Sequence, residues 1–156
     1  MTKTLYFTES GYQKLLKEKK RLEAALAEAK KSAGLSASAE PGNVWHDNFG
    51  FEQAERDIHK FTSMLEEIMK QLASAKIIKP KDTSKDKAGI GSKVQVEMSG
   101  EKRTYSIVGW GEAEPGKNKI SYTSPLGKAL TGAKTGDRKR ITTPKGKAAI
   151  KVLAVS

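Results

Sequence analysis

Cysteine is absent from the 156 residues of this chain. That excludes disulfides, thiolate zinc sites, iron–sulfur clusters and cysteine nucleophiles. Aromatic residues are scarce, at 6%. No window approaches the run of about 18 apolar residues that a membrane-spanning helix needs. The opening Met1-Thr2-Lys3-Thr4-Leu5-Tyr6-Phe7 passes directly into Thr8, Glu9 and Ser10 and lacks the apolar centre of a secretory signal. A cytoplasmic protein without membrane contact is expected. The short motifs of a self-contained enzyme are missing too. There is no Gly-x-Ser-x-Gly elbow and no His-Glu-x-x-His pair. The segment Gly127-Lys128-Ala129-Leu130-Thr131-Gly132-Ala133-Lys134-Thr135 approximates a phosphate-binding loop, but Ala133 delays the lysine by one residue.

Basic charge, by contrast, is abundant. Lys and Arg total 29 against 18 Asp and Glu, a net charge of +11. A surplus of this size favours anionic partners such as nucleic acid or a large nucleoprotein machine. It is unevenly placed: residues 1–80 carry 13 basic and 11 acidic residues, and residues 81–156 carry 16 and 7. The change falls within the polar stretch from Lys79 to Gly89, which reads as a linker between residues 1–78 and 90–156.

The first half has helical spacing. Thr8 is a good N-cap before a run rich in Leu, Lys, Glu and Ala, and Leu15, Leu22, Leu26 and Ala29 form one apolar stripe. A helix over 9–32 is expected. Phe51, Ala54, Ile58, Phe61, Leu65, Ile68 and Leu72 alternate in steps of three and four, which is a heptad-like seam. Two helices with one stripe each bury those stripes as an antiparallel coiled-coil hairpin. The second half has strand alternation at Val94/Val96/Met98, Tyr105/Ile107, Ile120/Tyr122, Ile141 and Ile150/Val152/Ala154. Ser124 and Pro125 mark the start of a short helix. The expected class is α+β: a helical hairpin followed by a small antiparallel sheet curled around one helix.

No Lys or Arg occurs between Lys31 and Arg56, a gap that holds Glu40, Asp47, Glu52 and Glu55. It spans the connection between the helices, at about residues 33–50, so the hairpin carries an acidic tip. Carboxylates there can bind a hard cation such as Mg²⁺, or Asp47 or Asn48 can simply N-cap the second helix. Trp45, Phe49 and Phe51 either form a contact surface or close the end of the hairpin core. His46 beside Asp47 is either an acid–base group or a solvated loop residue. Lys14, Lys17, Lys19, Lys20 and Arg21 crowd the first helix, as a phosphate-binding face or a merely solvated one. His59 falls off the seam as a surface residue, and Arg138-Lys139-Arg140, after a turn, faces either an acidic protein surface or nucleic acid.

The whole chain resembles the bacterial Gre transcript-cleavage factors, the GreA/GreB family. Phe7-Thr8-Glu9-Ser10-Gly11-Tyr12-Gln13-Lys14-Leu15 resembles the family's entry into its first helix. Tyr105-Ser106-Ile107-Val108-Gly109, Lys119-Ile120-Ser121, Ser124-Pro125-Leu126-Gly127-Lys128-Ala129-Leu130-Thr131-Gly132 and Gly136-Asp137 resemble its later motifs, in order. The resemblance implies an FKBP-like second domain that docks on bacterial RNA polymerase at the rim of its secondary channel. Ser124, Pro125, Leu126 and Gly127 are the candidate docking residues. It implies a coiled coil that enters the channel as a monomer and reaches the nascent RNA 3′ end, with Lys14, Lys17, Lys20 and Arg21 as candidate RNA contacts. No cofactor is implied for the chain alone.

In the family the tip reads Gly-Asp-Leu-x-Glu-Asn-Ala-Glu-Tyr, and its Asp and first Glu stabilise the second catalytic Mg²⁺ of the polymerase, which hydrolyses backtracked RNA. Here the segment is Gly42-Asn43-Val44-Trp45-His46-Asp47-Asn48-Phe49-Gly50-Phe51. Asp47 stands at the family's Glu, Asn48 matches its Asn, and Phe51 stands at its Tyr. The family's Asp falls on Asn43 or Val44. The resemblance thus implies Asp47 as the surviving metal-assisting carboxylate, Asn43 as a neutral residue in the place of the family's Asp, and Trp45, His46, Asn48 and Phe51 as the remaining tip contacts. Two other readings stay open: a channel-binding regulator that does not support cleavage or inhibits transcription, and a polymerase-independent nucleic-acid-binding module with a dimerising arm.

Overall fold

The computed structural model describes residues 3–37, 48–79 and 86–156. Its elements are β1 (Leu5–Phe7), α1 (Glu9–Ala37), α2 (Asn48–Ala73), β2 (Ala75–Ile77), β3 (Lys93–Met98), β4 (Glu101–Val108), β5 (Lys119–Ser121), α3 (Pro125–Leu130), β6 (Arg138–Thr143) and β7 (Gly146–Val155). Both long helices and all the strands expected from alternation are present. α1 runs five residues beyond the expected end at 32, because Ser32-Ala33-Gly34-Leu35 contains no residue that stops a helix outright.

The chain forms two compact units, residues 13–74 and residues 1–12 with 75–156. This division differs from the boundary near residue 79 expected from composition. The physical reason is a second sheet that the sequence reading missed. β1 and β2 pair in parallel, Leu5 with Ala75 and Phe7 with Ile77, and the Ile78 amide donates to the Phe7 carbonyl at 2.9 Å. Leu5-Tyr6-Phe7 shows no polar–apolar alternation, and only one residue separates β2 from the end of α2. Residues 86–89, read as linker, also belong to the second unit. Ala88 is buried in its core and exchanges backbone hydrogen bonds with the 132–133 turn.

In the helical unit Leu22, Leu65 and Ile68 form the buried centre, flanked by Leu15, Leu26, Phe61 and Leu72. Leu15 and Glu18 share a groove with Met64, Glu67 and Ile68, whereas Ala25, Ala29 and Ser32 share one with Phe49, Gln53 and Ala54. Early α1 therefore lies beside late α2 and the reverse, which makes the pair antiparallel. At about 1.5 Å per residue, α1 is about 43 Å long.

The second unit is a five-stranded sheet in the order β5-β4-β3-β7-β6. β3–β4, β3–β7 and β6–β7 are antiparallel, but β4–β5 is parallel, which corrects the expectation of an all-antiparallel sheet. Residues 109–118 loop back after β4 and bring Lys119 beside Ser106, so β5 starts in the direction in which β4 ran. The β3–β4 connection is the two-residue turn Ser99-Gly100, with φ of 54° and 82°. Two positive φ values suit the right-handed twist of a tight hairpin. One sheet face closes over α3. Val94, Val96, Ile107, Leu130, Ile150 and Val152 are fully buried there, from the inward positions of β3, β4 and β7 plus the last residue of the helix.

The start of α1 is tied into the sheet unit by Glu112. Thr8 N-caps the helix, with its Oγ1 accepting from the Gly11 amide at 3.1 Å. The Glu112 carboxylate accepts from the Thr8 amide at 2.8 Å and from the Thr8 hydroxyl at 2.5 Å. A residue far along the chain thus supplies the acid that a capping box normally draws from the helix itself. Gly11 lies directly under this carboxylate, and a side chain there would displace it. Glu112→Ala is expected to destabilise the unit by about 2 kcal/mol, the scale of hydrogen bonds to a charged acceptor. Gly11→Ala expels the same carboxylate. In denaturant melts the double variant is therefore expected to cost scarcely more than either single one; simple additivity would contradict the clamp.

Candidate functional site

Four of the tip candidates, Asn43, Trp45, His46 and Asp47, lie outside the described residues. Asp47 immediately precedes α2 in sequence, and Asn48 is the first helical residue. Phe51 is half-buried at the head of the seam, so it serves the hairpin core. Phe49 differs: 73% of it is exposed, beside the groove between early α2 and late α1. The first turn of α2 carries no acid and no base. His59 is exposed on α2.

Four basic residues of α1 share one side. At about 100° per residue, Lys14, Lys17, Lys20 and Arg21 fall within about 120° of arc, away from the Leu15–Leu22 seam. All four are exposed. Arg21 already holds Glu18 through two contacts, Nη2 to Oε1 at 2.5 Å and Nε to Oε2 at 2.8 Å. That hydrogen bonding keeps the Glu18 carboxyl below its ordinary value. Lys19 pairs with Glu23 at 2.9 Å. A phosphate approaching this side competes with Glu18 for Arg21, whereas Lys17 and Lys20 stand forward.

The docking candidates gather at α3. Ser124 caps the helix: its Oγ accepts from the Gly127 amide at 3.0 Å and donates to the Ser121 carbonyl at 2.7 Å. Pro125 takes the first helical position, where its missing N–H is no loss, and it is exposed. Leu126 packs against the sheet core and Gly127 is buried. Of the four, Pro125 alone offers an exposed side chain. Gly127 has a packing reason of its own, because the Ser121 carbonyl occupies the place of its missing Cβ.

Sequence reasoning gave no role to Glu112, which has no periodic or motif signal among Gly109, Trp110 and Gly111. Nearby, Glu114 accepts from Lys117 at 2.7 Å and from Lys119 at 3.3 Å. These two ammonium groups lower its pKa from 4.5 to about 2. A folded carboxyl that is the stronger acid stabilises the fold fully above about 4.5 and loses that contribution as the pH falls toward about 2. Carboxyl NMR titration is expected to place the Glu114 midpoint near 2, and a midpoint at its ordinary 4.5 would contradict the contact.

Residues 83–156 match the family model described as "Transcription elongation factor, GreA/GreB, C-term". The chain is 33% identical over 165 residues to the transcription elongation factor GreA of Thermoanaerobacter pseudethanolicus, covering 99% of each. It is 31% identical over 158 residues to that of Syntrophobacter fumaroxidans, covering 95% of each. Among solved structures, the GreA factor homolog 1 (Gfh1) protein of Thermus thermophilus matches with 30% identity over 99% of both chains and a TM-score of 0.46. The chain belongs to the GreA/GreB family of transcription elongation factors. Among the described residues, no helix is long and apolar enough to cross a membrane.

Proposed function

We propose that the chain acts on RNA polymerase as a monomer, placing its hairpin in the secondary channel and stimulating the polymerase's own cleavage of backtracked RNA. The observation that carries this reading is a pair of long antiparallel helices whose connecting sequence contains Asp47, immediately before α2. α1 and α2 run 29 and 26 residues, and every Lys and Arg is excluded from the stretch between Lys31 and Arg56. A rod of about 40 Å delivers a side chain to a centre its own domain does not reach.

The donor chemistry fits an Mg²⁺ already held by the polymerase. Asp47 supplies a carboxylate oxygen and Asn43 an amide oxygen, both hard donors of the kind Mg²⁺ takes. Held there, Mg²⁺ would supply charge stabilisation for hydrolysis of the RNA, and Asp47 and Asn43 would be the residues of this chain that help to hold it. The work of this chain is to lend a ligand and hold it in place. Lys17 and Lys20 on α1 face the displaced RNA 3′ segment in this arrangement, and Pro125 contributes to docking on the polymerase.

A second reading rests on the altered tip. Asn43 brings no charge to a metal, and Asp47 is one methylene shorter than the Glu of the family pattern. Both changes weaken the ligand set and favour a factor that occupies the channel without promoting cleavage. Stalled, backtracked elongation complexes distinguish the two. Shortening of the transcript from its 3′ end, faster with the protein than without it, is the expected result. Binding to polymerase with unchanged or slower cleavage would assign the chain to the second reading.

A further inference from the structure

The outward face of the five-stranded sheet concentrates positive charge in a way the fold does not need. In register across it lie Lys102 on β4, Glu97 on β3, Lys151 on β7 and Arg138 on β6. Arg140 follows two residues along β6, and Lys147 two pairs along β7. Those five cations are exposed, and Glu97 is the one acid within the patch; Lys93 stands at the opposite end of the same face. None of the five has an ion-pair partner among the described residues. Arg138 stands directly opposite Lys151. Like charges in that position destabilise a sheet, so the pairing is a local cost with no structural return.

We infer that this face is a docking surface for the phosphate backbone of duplex DNA. Its other side chains are Thr142, Ala149, Gln95, Thr104 and, at the β7 bulge, the half-buried Leu153. One aliphatic group and no aromatic one fall short of the cluster that anchors a protein partner, and three of the five cations are lysines, which protein–protein interfaces deplete. The face includes no aromatic platform on which the bases of a single strand stack. What remains is a flat array of cations. From β4 to β6 it spans about 14 Å, and the two arginines stand about 7 Å apart along β6. That is enough to meet phosphates on both sides of a major groove about 12 Å wide. Contacts of this kind are independent of sequence and steeply salt-dependent. The surface shares no residue with the hairpin tip and does not depend on the chemistry proposed there.

The test is binding of the full chain to a mixed-sequence DNA duplex of about 20 base pairs, followed by anisotropy from about 50 to 200 mM salt. Arg138→Gln/Arg140→Gln on the edge strand is compared with Lys147→Gln/Lys151→Gln on β7. A charge-matched control is Lys30→Gln/Lys31→Gln on α1. Unchanged thermal midpoints verify that the variants fold. Each sheet variant is expected to weaken binding about tenfold or more at low salt and to flatten the log–log salt slope by about 1.8, two phosphates at 0.9 each. The control is expected to keep the wild-type slope. Equal losses in all three variants, or none in the sheet variants, would overturn the inference. So would tighter binding of single-stranded RNA than of the duplex. Loss of polymerase binding with duplex binding intact would assign the face to an acidic protein surface instead.

Discussion

Asn43→Asp is expected to raise the stimulation of RNA cleavage by about tenfold, and Asp47→Ala to lower it by about 10–100-fold, the range found when groups that support a metal site are removed. Under the proposed function the tip works by lending oxygen ligands to an Mg²⁺ that the polymerase already holds. An amide oxygen is neutral, so Asn43 contributes a dipole where a carboxylate would contribute a full charge. Restoring that charge strengthens the site in a rod that otherwise stays the same. Removing Asp47 leaves no tip carboxylate at either family position. The variants are compared at equal occupancy of the polymerase, so that weaker cleavage cannot come from weaker binding. A null result for Asn43→Asp would mean that position 43 does not reach the metal, and Val44 or a more distant acid such as Glu40 or Glu52 would then occupy the family's first position.

Gly127→Ala is expected to be the most damaging single methyl in the second unit, at the upper end of the roughly 1–3 kcal/mol typical of overpacking. The missing Cβ would fall on the Ser121 carbonyl, which is backbone and cannot swing aside as a side chain can. The same carbonyl accepts from Ser124, so pushing it away also disturbs the cap of α3. Leu130, the last residue of that helix, is fully buried in the core, and moving α3 moves it as well. A urea melt followed by a sheet-unit probe reads the loss. Wild-type stability in the alanine variant would show that α3 does not need this close approach. The result also separates two roles of the Ser124–Gly127 segment: Pro125→Ala is expected to leave stability nearly unchanged and to weaken polymerase binding only if the segment docks.

The elements that sequence reasoning recovered are those with a long period. The steps of three and four from Phe51 to Leu72 can be satisfied only by one helix face, and Leu65 and Ile68 are buried as that seam requires. Val94 and Val96 are buried and Gln95 is exposed, as alternation requires. What escaped was long-range or short. β1 and β2 have three residues each, and their parallel pairing depends on two distant segments meeting. Glu112 acts on Thr8 across 104 positions, and nothing local marks it. The basic sheet face is invisible until register sets Arg138 beside Lys151, although the Arg138–Arg140 run was visible as charge. The acidic tip, read from a stretch without Lys or Arg in a chain of net charge +11, falls mostly outside the described residues.

The central claim is that Asp47 lends a ligand to the polymerase's Mg²⁺. Its most direct test is the Mg²⁺ dependence of transcript cleavage in one backtracked complex, with no factor, with the wild-type chain and with Asp47→Ala. The wild-type chain is expected to lower the Mg²⁺ concentration for half-maximal cleavage, and Asp47→Ala to return it to the factor-free value. A midpoint that the wild-type chain leaves unchanged or raises would contradict it.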